Sequence, residues 1–597
     1  MTKFLNKRDI MFMLYEIFDI ESLTQYDYYK DHSSETFNMI LDTAEKIAED
    51  MMYPVFSEMD KNPPYYKDGQ ARVHPIVRTF MDECGNGGWI NACWEYDLGG
   101  QQIPNMIKNA TAFIFNAANY PLSAYPFLTI GAANLIKEFA SQPIKDKYME
   151  NLCSAEWQGT MALTEPNVGS SLGDLTTSAE DTGQGFFKIK GKKIFISGAD
   201  TDQVKNTVHM MLARVNGEPA GIKGISLFVV PKYRVNDDGT LEYNDVVCEG
   251  IEHKLGYKGC PIGELTMGEG NDCRGYLVGD LGKGLSYMFH MMNEMRIDVG
   301  IGATAKITAA YYAALEYTQQ RLQGRKLGEK DPTTPMIPII EHADVKRMLL
   351  FQRAIAEGSL ALALQLTKYM DLVKVTQSAE EKERYELLME LLVPIVKTYP
   401  SEMGILATSA AIQCLGGYGY CQDFPAEQYY RDIRIDAIHE GATAIQGQDL
   451  LGRKVTMKKG KALATFIEEV HKTVQEAEKI EGLQTAAGRL LNSLNTLQDV
   501  TTHLLGIKDS GQLEEFMADA TLYLEMMSII TIAWQWLLQA VTAAKKLKIG
   551  DIDELFYKGK LYTCEYFYRY ELPKIESLAK TLKNEVYLTV EIASKYL

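Results

Sequence analysis

Three short stretches of this 597-residue chain combine residue types in patterns that can do chemistry. In residues 429–446, Glu440 follows an apolar approach and is followed by Gly441 and Ala442. A carboxylate among small and apolar groups loses solvation, which strengthens it as a base toward a carbon acid. A Glu-Gly pair also serves as a plain helix-to-turn junction, with Arg431 or Arg434 as structural counter-ions. In residues 161–170, M-A-L-T-E-P-N-V-G-S, Thr164 offers a hydroxyl and an N–H close to Gly169 and Ser170. Amides at such small residues approach an anion without side-chain obstruction, which suits a cofactor ring and its phosphates. Ordinary turn chemistry reads the same way. In residues 413–420, Gln413 leads into Gly416, Gly417 and Gly419, where the backbone can pass close to a ligand or simply cap a helix. No βαβ unit surrounds those glycines, so they are not a dinucleotide fingerprint.

Gly169-Ser-Ser-Leu-Gly173 also matches the G-x-S-x-G elbow of serine hydrolases, with Ser171 as nucleophile. An elbow needs a buried strand before the serine and a helix after it. Pro166 and Asn167 precede the motif and Gly173 and Asp174 follow it, which leaves the hydrolase a remote alternative.

The elements that must position these residues follow from periodicity. Apolar residues recur at helical spacing through the first part, as in Met39, Ile40, Ala44, Ile47 and Ala48. Between 159 and 284 the texture changes to short β-rich runs, at 186–189, 193–196, 208–213 and 225–230. Helical spacing returns from 285 to about 453, broken near Pro332, Pro335 and Pro338, and a new apolar stripe starts at Leu463. These shifts predict a mainly α chain with a small central β domain. Its expected parts are an N-terminal helical domain (1–158), a middle β domain (159–284), a helical bundle carrying Glu440 (285–459) and a C-terminal helical extension (460–597).

Composition narrows the partners. The balance of 61 basic against 79 acidic residues, a formal charge of −18, disfavours nucleic acid and anionic membranes. Nine cysteines without a C-x-x-C pair match neither a disulfide framework nor a zinc site, and point to a reducing cytoplasm without a metal centre. No export signal is visible at the start of the chain. Residues 526–544 lack charge, but their Ser, Thr and Gln content predicts a buried helix of a bundle rather than a membrane span.

Taken together, residues 35–455 resemble the acyl-CoA dehydrogenase family. The resemblance rests on A-L-T-E-P-x-x-G-S, K-I-F-I-S-G at 193–198, Y-T-Q-Q-R ending at Arg321, Q-x-x-G-G-x-G-Y, and R-D-x-R-x-x-x-I-x-E-G-x-x-x-I-Q. The added C-terminal helices look like the long subgroup that includes 3-methylmercaptopropionyl-CoA dehydrogenase. The family's architecture is helical domain, β-barrel domain and helical bundle. The resemblance implies that Met161, Leu163, Thr164, Gly169 and Ser170 line FAD, with Phe195 and Ser197 covering its ring. Arg321, Gln413, Gly416 and Gly417 would meet the FAD of a neighbouring subunit, so the chain would be at least a homodimer. Ser170, Asn293, Arg296 and Gly441 would hold an acyl-CoA substrate. Glu440 would be the base of an α,β-dehydrogenation to the trans-2-enoyl-CoA, with electrons leaving to an electron-transferring flavoprotein. An acyl-CoA oxidase would use the same residues.

Several positions depart from the family pattern. Ser171 stands for an Asp, Phe195 for a Trp, and His439 for a Tyr beside the base, where it either tunes Glu440 or simply packs; Ala442 stands for a Thr that would give FAD a hydrogen bond, which leaves Ala442 to meet FAD through its backbone. Glu294 lies one position from where some relatives place an alternative base.

Overall fold

The computed structural model describes residues 3–550 and 553–597, which fall into two compact units. One is built from Asp42–Ile103 and Ala118–Met295, the other from Met1–Leu41, Pro104–Ala117 and Arg296–Leu597.

The first unit is built around the sheet. Helical spacing before it is interrupted by a hairpin, β1 (Tyr65–Lys67) and β2 (Gln70–Arg72), turning through Asp68 and Gly69 at φ 53° and 78°. Asp-Gly is the residue pair that such a tight turn demands. The chain then forms β3 (Gln158–Ala162), β4 (Ser178–Asp181), β5 (Phe187–Ser197), β6 (Thr207–Val215) and β7 (Ile225–Pro231). A second short hairpin, β8 (Tyr233–Val235) and β9 (Leu241–Tyr243), precedes β10 (Val246–Ile251), β11 (Ile262–Met267) and β12 (Arg274–Val278).

Strands β5, β12, β7, β6 and β4 pair in a closed circuit, with β10 and β11 added beside β5 and β3 added parallel to β6. The runs read at 186–189 and 193–196 are thus one strand, because backbone pairing continues through Gly191 and Lys192. Phe187, Ile189, Met211, Ala213, Phe228 and Val230 fill the barrel core. The alternating inward side chains of a small closed sheet pack in this way.

The second unit is helical. Its long helices include Ala343–Val375, Ala379–Leu415, Lys461–Ala477, Gln484–Asp509 and Ala520–Ile549. The C-terminal extension packs on the bundle rather than apart from it. The Trp536 indole donates to the Ala354 carbonyl of the bundle at 2.9 Å, while within the extension the Trp534 indole donates to Thr473 at 2.9 Å. Ala520–Ile549 is long and apolar enough to cross a membrane, but 89% of its most apolar stretch is buried inside the protein. It is the core helix of this unit, as its Gln and Thr content predicts.

The N-terminal segment joins the extension through buried charge. Lys560, fully buried, donates to Asp9 at 2.7 Å and to Glu357 at 2.8 Å, while Arg353 holds the other oxygen of Glu357 at 2.6 Å. Asp9 is held below its ordinary range by these two cations, against the opposing effect of burial.

Candidate active site

In the β unit, the 161–170 turn starts where the buried strand β3 ends. Met161 is 8% exposed, Leu163 and Thr164 are half-buried, and Gly169 and Ser170 are exposed. Reciprocal backbone bonds of 2.9 and 3.0 Å between Glu165 and Val168 close the Glu-Pro-Asn-Val turn. Beneath it, the buried Glu165 carboxylate accepts from Lys193 Nζ at 2.9 Å, from the Thr176 N–H and hydroxyl at 2.7 and 2.6 Å, and from the Thr177 N–H at 3.0 Å. Lys193 also donates to the Leu163 carbonyl at 2.9 Å, and the Ile194 N–H donates to the Thr164 carbonyl at 2.9 Å.

These bonds use the Leu163 and Thr164 carbonyls and the Glu165 carboxylate and leave the donors of Thr164 and Ser170. Among the described residues, the N–H and hydroxyl of Thr164 and of Ser170 donate to no other group of the chain. Nothing stands within 4 Å of where a Cβ on Gly169 would lie. The turn is therefore a rigid support presenting unpaired donors to open space.

Phe195 lies beside this support. Ile196 pairs with Gly263 and Lys193 with Leu265, so two residues of β5, Ile194 and Phe195, oppose one residue of β11. This bulge puts Phe195 at φ 58° and leaves the residue 58% exposed. An aromatic residue in the left-handed region is disfavoured by about 1–2 kcal/mol, and a bulge that re-aims one side chain is a recurrent device beside active sites. Ser197, half-buried, follows two residues later on the same strand.

Ser171 is not a nucleophile elbow. It sits at φ −87°, ψ 61° before a three-residue 3-10 turn, Leu172–Asp174, with no helix behind it. Glu294 accepts from the Asn134 amide at 3.0 Å, and Asn134 accepts from the Trp94 indole at 2.7 Å. That chain of bonds ties Glu294 into the interior of its unit. Asn293 next to it is half-buried.

In the helical unit, Glu440 lies in the turn between a 3-10 stretch, Arg434–Ala437, and the helix Thr443–Asp449. Both Glu440 and Gly441 adopt positive φ, 52° and 88°, so the chain reverses at the carboxylate itself. The turn is held from behind. Gln446, fully buried, donates to the Glu440 carbonyl at 3.1 Å and the Gly441 carbonyl at 3.4 Å, and a Cβ on Gly441 would lie 2.6 Å from its Nε2. Lys397, fully buried in the helix Ala379–Leu415, donates to the Gly441 carbonyl at 2.9 Å. Below them Asp436 and Lys306 form a buried pair at 2.8 Å, and burial lowers Lys306 from its ordinary value.

The titratable neighbours of Glu440 in sequence point elsewhere. Arg431 grips Glu427 at 2.6 and 2.9 Å, and His439 lies 3.3 Å from Asp436. Ala442 caps the next helix without a side-chain bond, and the neighbouring Thr443 hydroxyl turns inward to Glu402. Thr443 is thus no replacement for the hydroxyl missing at 442. Arg296, expected to present a cation to CoA, is only 3% exposed and is paired with Asp449 at 3.2 Å. A guanidinium removed from water needs such an internal counter-ion, and this one is committed to the chain's own carboxylate.

Arg321 extends past the helix Gly284–Gln320 into solvent, and its guanidinium has no acidic partner among the described residues. Tyr317, one turn earlier, meets Tyr418 at 6.3 Å and Phe424 at 5.9 Å between ring centroids. This aromatic cluster brings Arg321 toward the glycine turn, where Gln413, Gly416 and Gly417 are exposed and both glycines face open space. Gly416, at φ 60° and ψ −136°, makes the reversal that ends the helix Ala379–Leu415. Sequence reasoning missed Lys193, Lys397 and Gln446. Each sits in or beside an apolar run, which is the only signal that a charged or amide group there is buried.

The architecture of a helical N-terminal part, a β barrel and a helical bundle with an appended helical extension defines an acyl-CoA dehydrogenase class of fold. Family models match in that order: acyl-CoA dehydrogenase N-terminal domain at residues 34–156, middle domain at 160–269, C-terminal domain at 282–454, and an acetyl-CoA dehydrogenase C-terminal-like domain at 466–592. A butyryl-CoA dehydrogenase of Syntrophomonas wolfei is 33% identical, covering 96% of each chain. The 3-methylmercaptopropionyl-CoA dehydrogenase of Ruegeria pomeroyi is 32% identical over 94% of each chain. A crystal structure of an acyl-CoA dehydrogenase complexed with FAD from Bacillus anthracis, 21% identical, superposes with a TM-score of 0.73 over 96% of this chain and 91% of that one. The chain belongs to the acyl-CoA dehydrogenase family and is an oxidoreductase of acyl-CoA thioesters.

Proposed function

We propose that the protein binds FAD and oxidises a saturated acyl-CoA thioester to the trans-2-enoyl-CoA, with Glu440 as base. The observation that carries this reading is the Glu440–Gly441 reversal, which holds a half-buried carboxylate at a fixed backbone angle on braced carbonyls. The unpaired donors of Thr164 and Ser170 and the exposed ring of Phe195 fit a flavin and its phosphates. When bound, FAD supplies the hydride acceptor that no side chain of this protein can provide.

The chain's own residues supply the rest. Glu440 takes the α-proton of the thioester, and its N–H donates to the thioester oxygen, where negative charge develops as the C–H bond breaks. Both bonds break in line only if the acyl chain is held with its α-carbon within reach of the carboxylate. Gly441 borders that chain without a side chain, and Asn293 and Ser170 bind polar parts of CoA. Met161, Leu163, Gly169 and Ser197 line the cofactor together with Thr164.

Arg321 and the 413–417 turn serve the cofactor of a second subunit. The working assembly is then at least a homodimer, acting in the cytoplasm and passing electrons to an electron-transferring flavoprotein. Anaerobic mixing with a panel of saturated acyl-CoAs tests the activity: bleaching of the bound flavin supports it, and an unbleached flavin with every member of the panel ends it. Reoxidation of the bleached enzyme by the flavoprotein, against rapid oxygen uptake, separates the dehydrogenase from the oxidase. Loss of flavin on dilution to monomers in sedimentation supports the shared site, and a fully active FAD-bound monomer refutes it.

A further inference from the structure

Lys397 is a charged residue in an apolar stretch of a long helix, on the residue where a lysine has least reason to be. It is fully buried, and its only acceptor among the described residues is the Gly441 carbonyl at 2.9 Å. Pro394 and Pro400 flank it in the same helix, and Ser401 donates to its carbonyl at 2.6 Å. Burying an ammonium for one neutral acceptor is unfavourable unless charge nearby compensates it. The compensating charges face it from three elements: Asp436 on the 3-10 stretch, Glu440 on the turn and Glu402 on its own helix, opposed by Arg296. Asp436 is itself paired with Lys306 and lies 3.3 Å from His439, and Thr443 occupies Glu402. Of the three carboxylates, Glu440 is the one with no cation or hydroxyl partner of its own among the described residues.

We propose that Lys397 is a positioning residue for the base. Its ammonium fixes the Gly441 carbonyl, keeps Glu440 in the left-handed turn and sets a positive charge behind the carboxylate. This inference rests on Glu440 being the base. Gln446 braces the same two carbonyls with a neutral amide, so it shares the geometric task but cannot supply the charge. The burial that accompanies this arrangement pushes Lys397 down to about 8, so its charge is present at neutral pH and is lost in mildly alkaline solution.

The test compares Lys397→Met, which removes donor and charge, with Lys397→Gln, which retains a donor, in the full-length flavin-loaded protein. Folding is checked first by far-ultraviolet circular dichroism and flavin content. With butyryl-CoA as probe, Lys397→Met should slow single-turnover flavin reduction on the order of 10²-fold, the penalty of a displaced reacting group, with the affinity for butyryl-CoA changed far less. The acid limb of the reduction rate should move to higher pH in both variants, because both lack the charge. Lys397→Gln should recover part of the rate without restoring that limb. A crystal structure of Lys397→Met should show the 440–442 turn displaced, a readout independent of turnover.

Unchanged rates, an unchanged pH profile and an unmoved turn in Lys397→Met overturn the proposal. Glu440→Gln, run alongside, keeps the two failures apart: if it remains inert while Lys397→Met behaves as the parent, the base assignment stands and only the role of Lys397 falls. If Lys397→Met does not fold, Lys397→Gln alone decides, through its pH profile and the position of its turn.

Discussion

Glu165 and Lys193, 28 positions apart in the chain, meet at 2.9 Å beneath the turn that carries Thr164. Lys193 belongs to the same strand as the Phe195 bulge, so this one contact couples the support of the donors to the strand that presents the ring. Lys193, with the Thr176 and Thr177 bonds, holds Glu165 at about 2 in spite of burial, and burial pushes Lys193 down to about 8. Lys193→Met leaves a buried carboxylate without its cation and should destabilise by about 3–5 kcal/mol. Thermal melting and the flavin content of the purified variant measure it. In the parent, the depressed carboxyl contributes stability that is fully present above its ordinary 4.5 and disappears as pH falls toward 2. Lys193→Met should lack this component of the acid transition.

Phe195 predicts a separation of stability from cofactor retention. Phe195→Gly relieves left-handed strain worth about 1 kcal/mol and gives up the packing of a ring that is more exposed than buried, so the two effects offset and the apo-protein should melt close to the parent temperature. The same change removes the surface that would cover the flavin. Its dissociation, followed by fluorescence on dilution, should quicken. A variant that melts well below the parent would place Phe195 in the core instead.

Glu440→Gln keeps shape and hydrogen bonding but removes the proton acceptor. FAD and acyl-CoA should still bind, while flavin reduction falls roughly 10⁴-fold or more, the upper range for a general base, since no other base replaces it. Glu294→Gln is the matched control. Its bond from Asn134 survives in the amide form only with one oxygen, so a small loss of stability and nearly unchanged reduction are expected. Near-parent reduction in Glu440→Gln with a slow Glu294→Gln would move the base to the earlier helix.

Lys560 tests whether the N-terminal segment and the C-terminal extension fold as one. Lys560→Met strands Asp9 without its nearest cation, and a loss of about 3–5 kcal/mol is expected from breaking one side of a buried network. Because the other partners of Lys560 lie on Ala343–Val375 and the N-terminal segment, limited proteolysis should cut both chain ends faster, not the extension alone. Adding Asp9→Asn should recover part of the loss by removing the stranded charge.

Residue types and local periodicity were enough to read the order of helices, β domain and helices, the buried character of residues 526–544, and Glu440 with its two glycine-bearing turns as the places where chemistry is possible. Those features are local: helical spacing, strand alternation, glycine at reversals and a carboxylate next to them leave a mark within a few residues. The hairpin at Asp68-Gly69 carried such a mark and was still hidden by the helical runs on either side. What tertiary structure decided are pairings across long stretches of chain. Phe195 turns outward because β11 is one residue short opposite it, and strand register is set by the partner. Arg296 is committed to Asp449, 153 positions away, and Lys397 to Gly441, 44 positions away. In sequence, a buried lysine and an exposed one are the same letter, and only packing decides which carbonyl or carboxylate its charge must satisfy, because desolvation is a property of the whole fold.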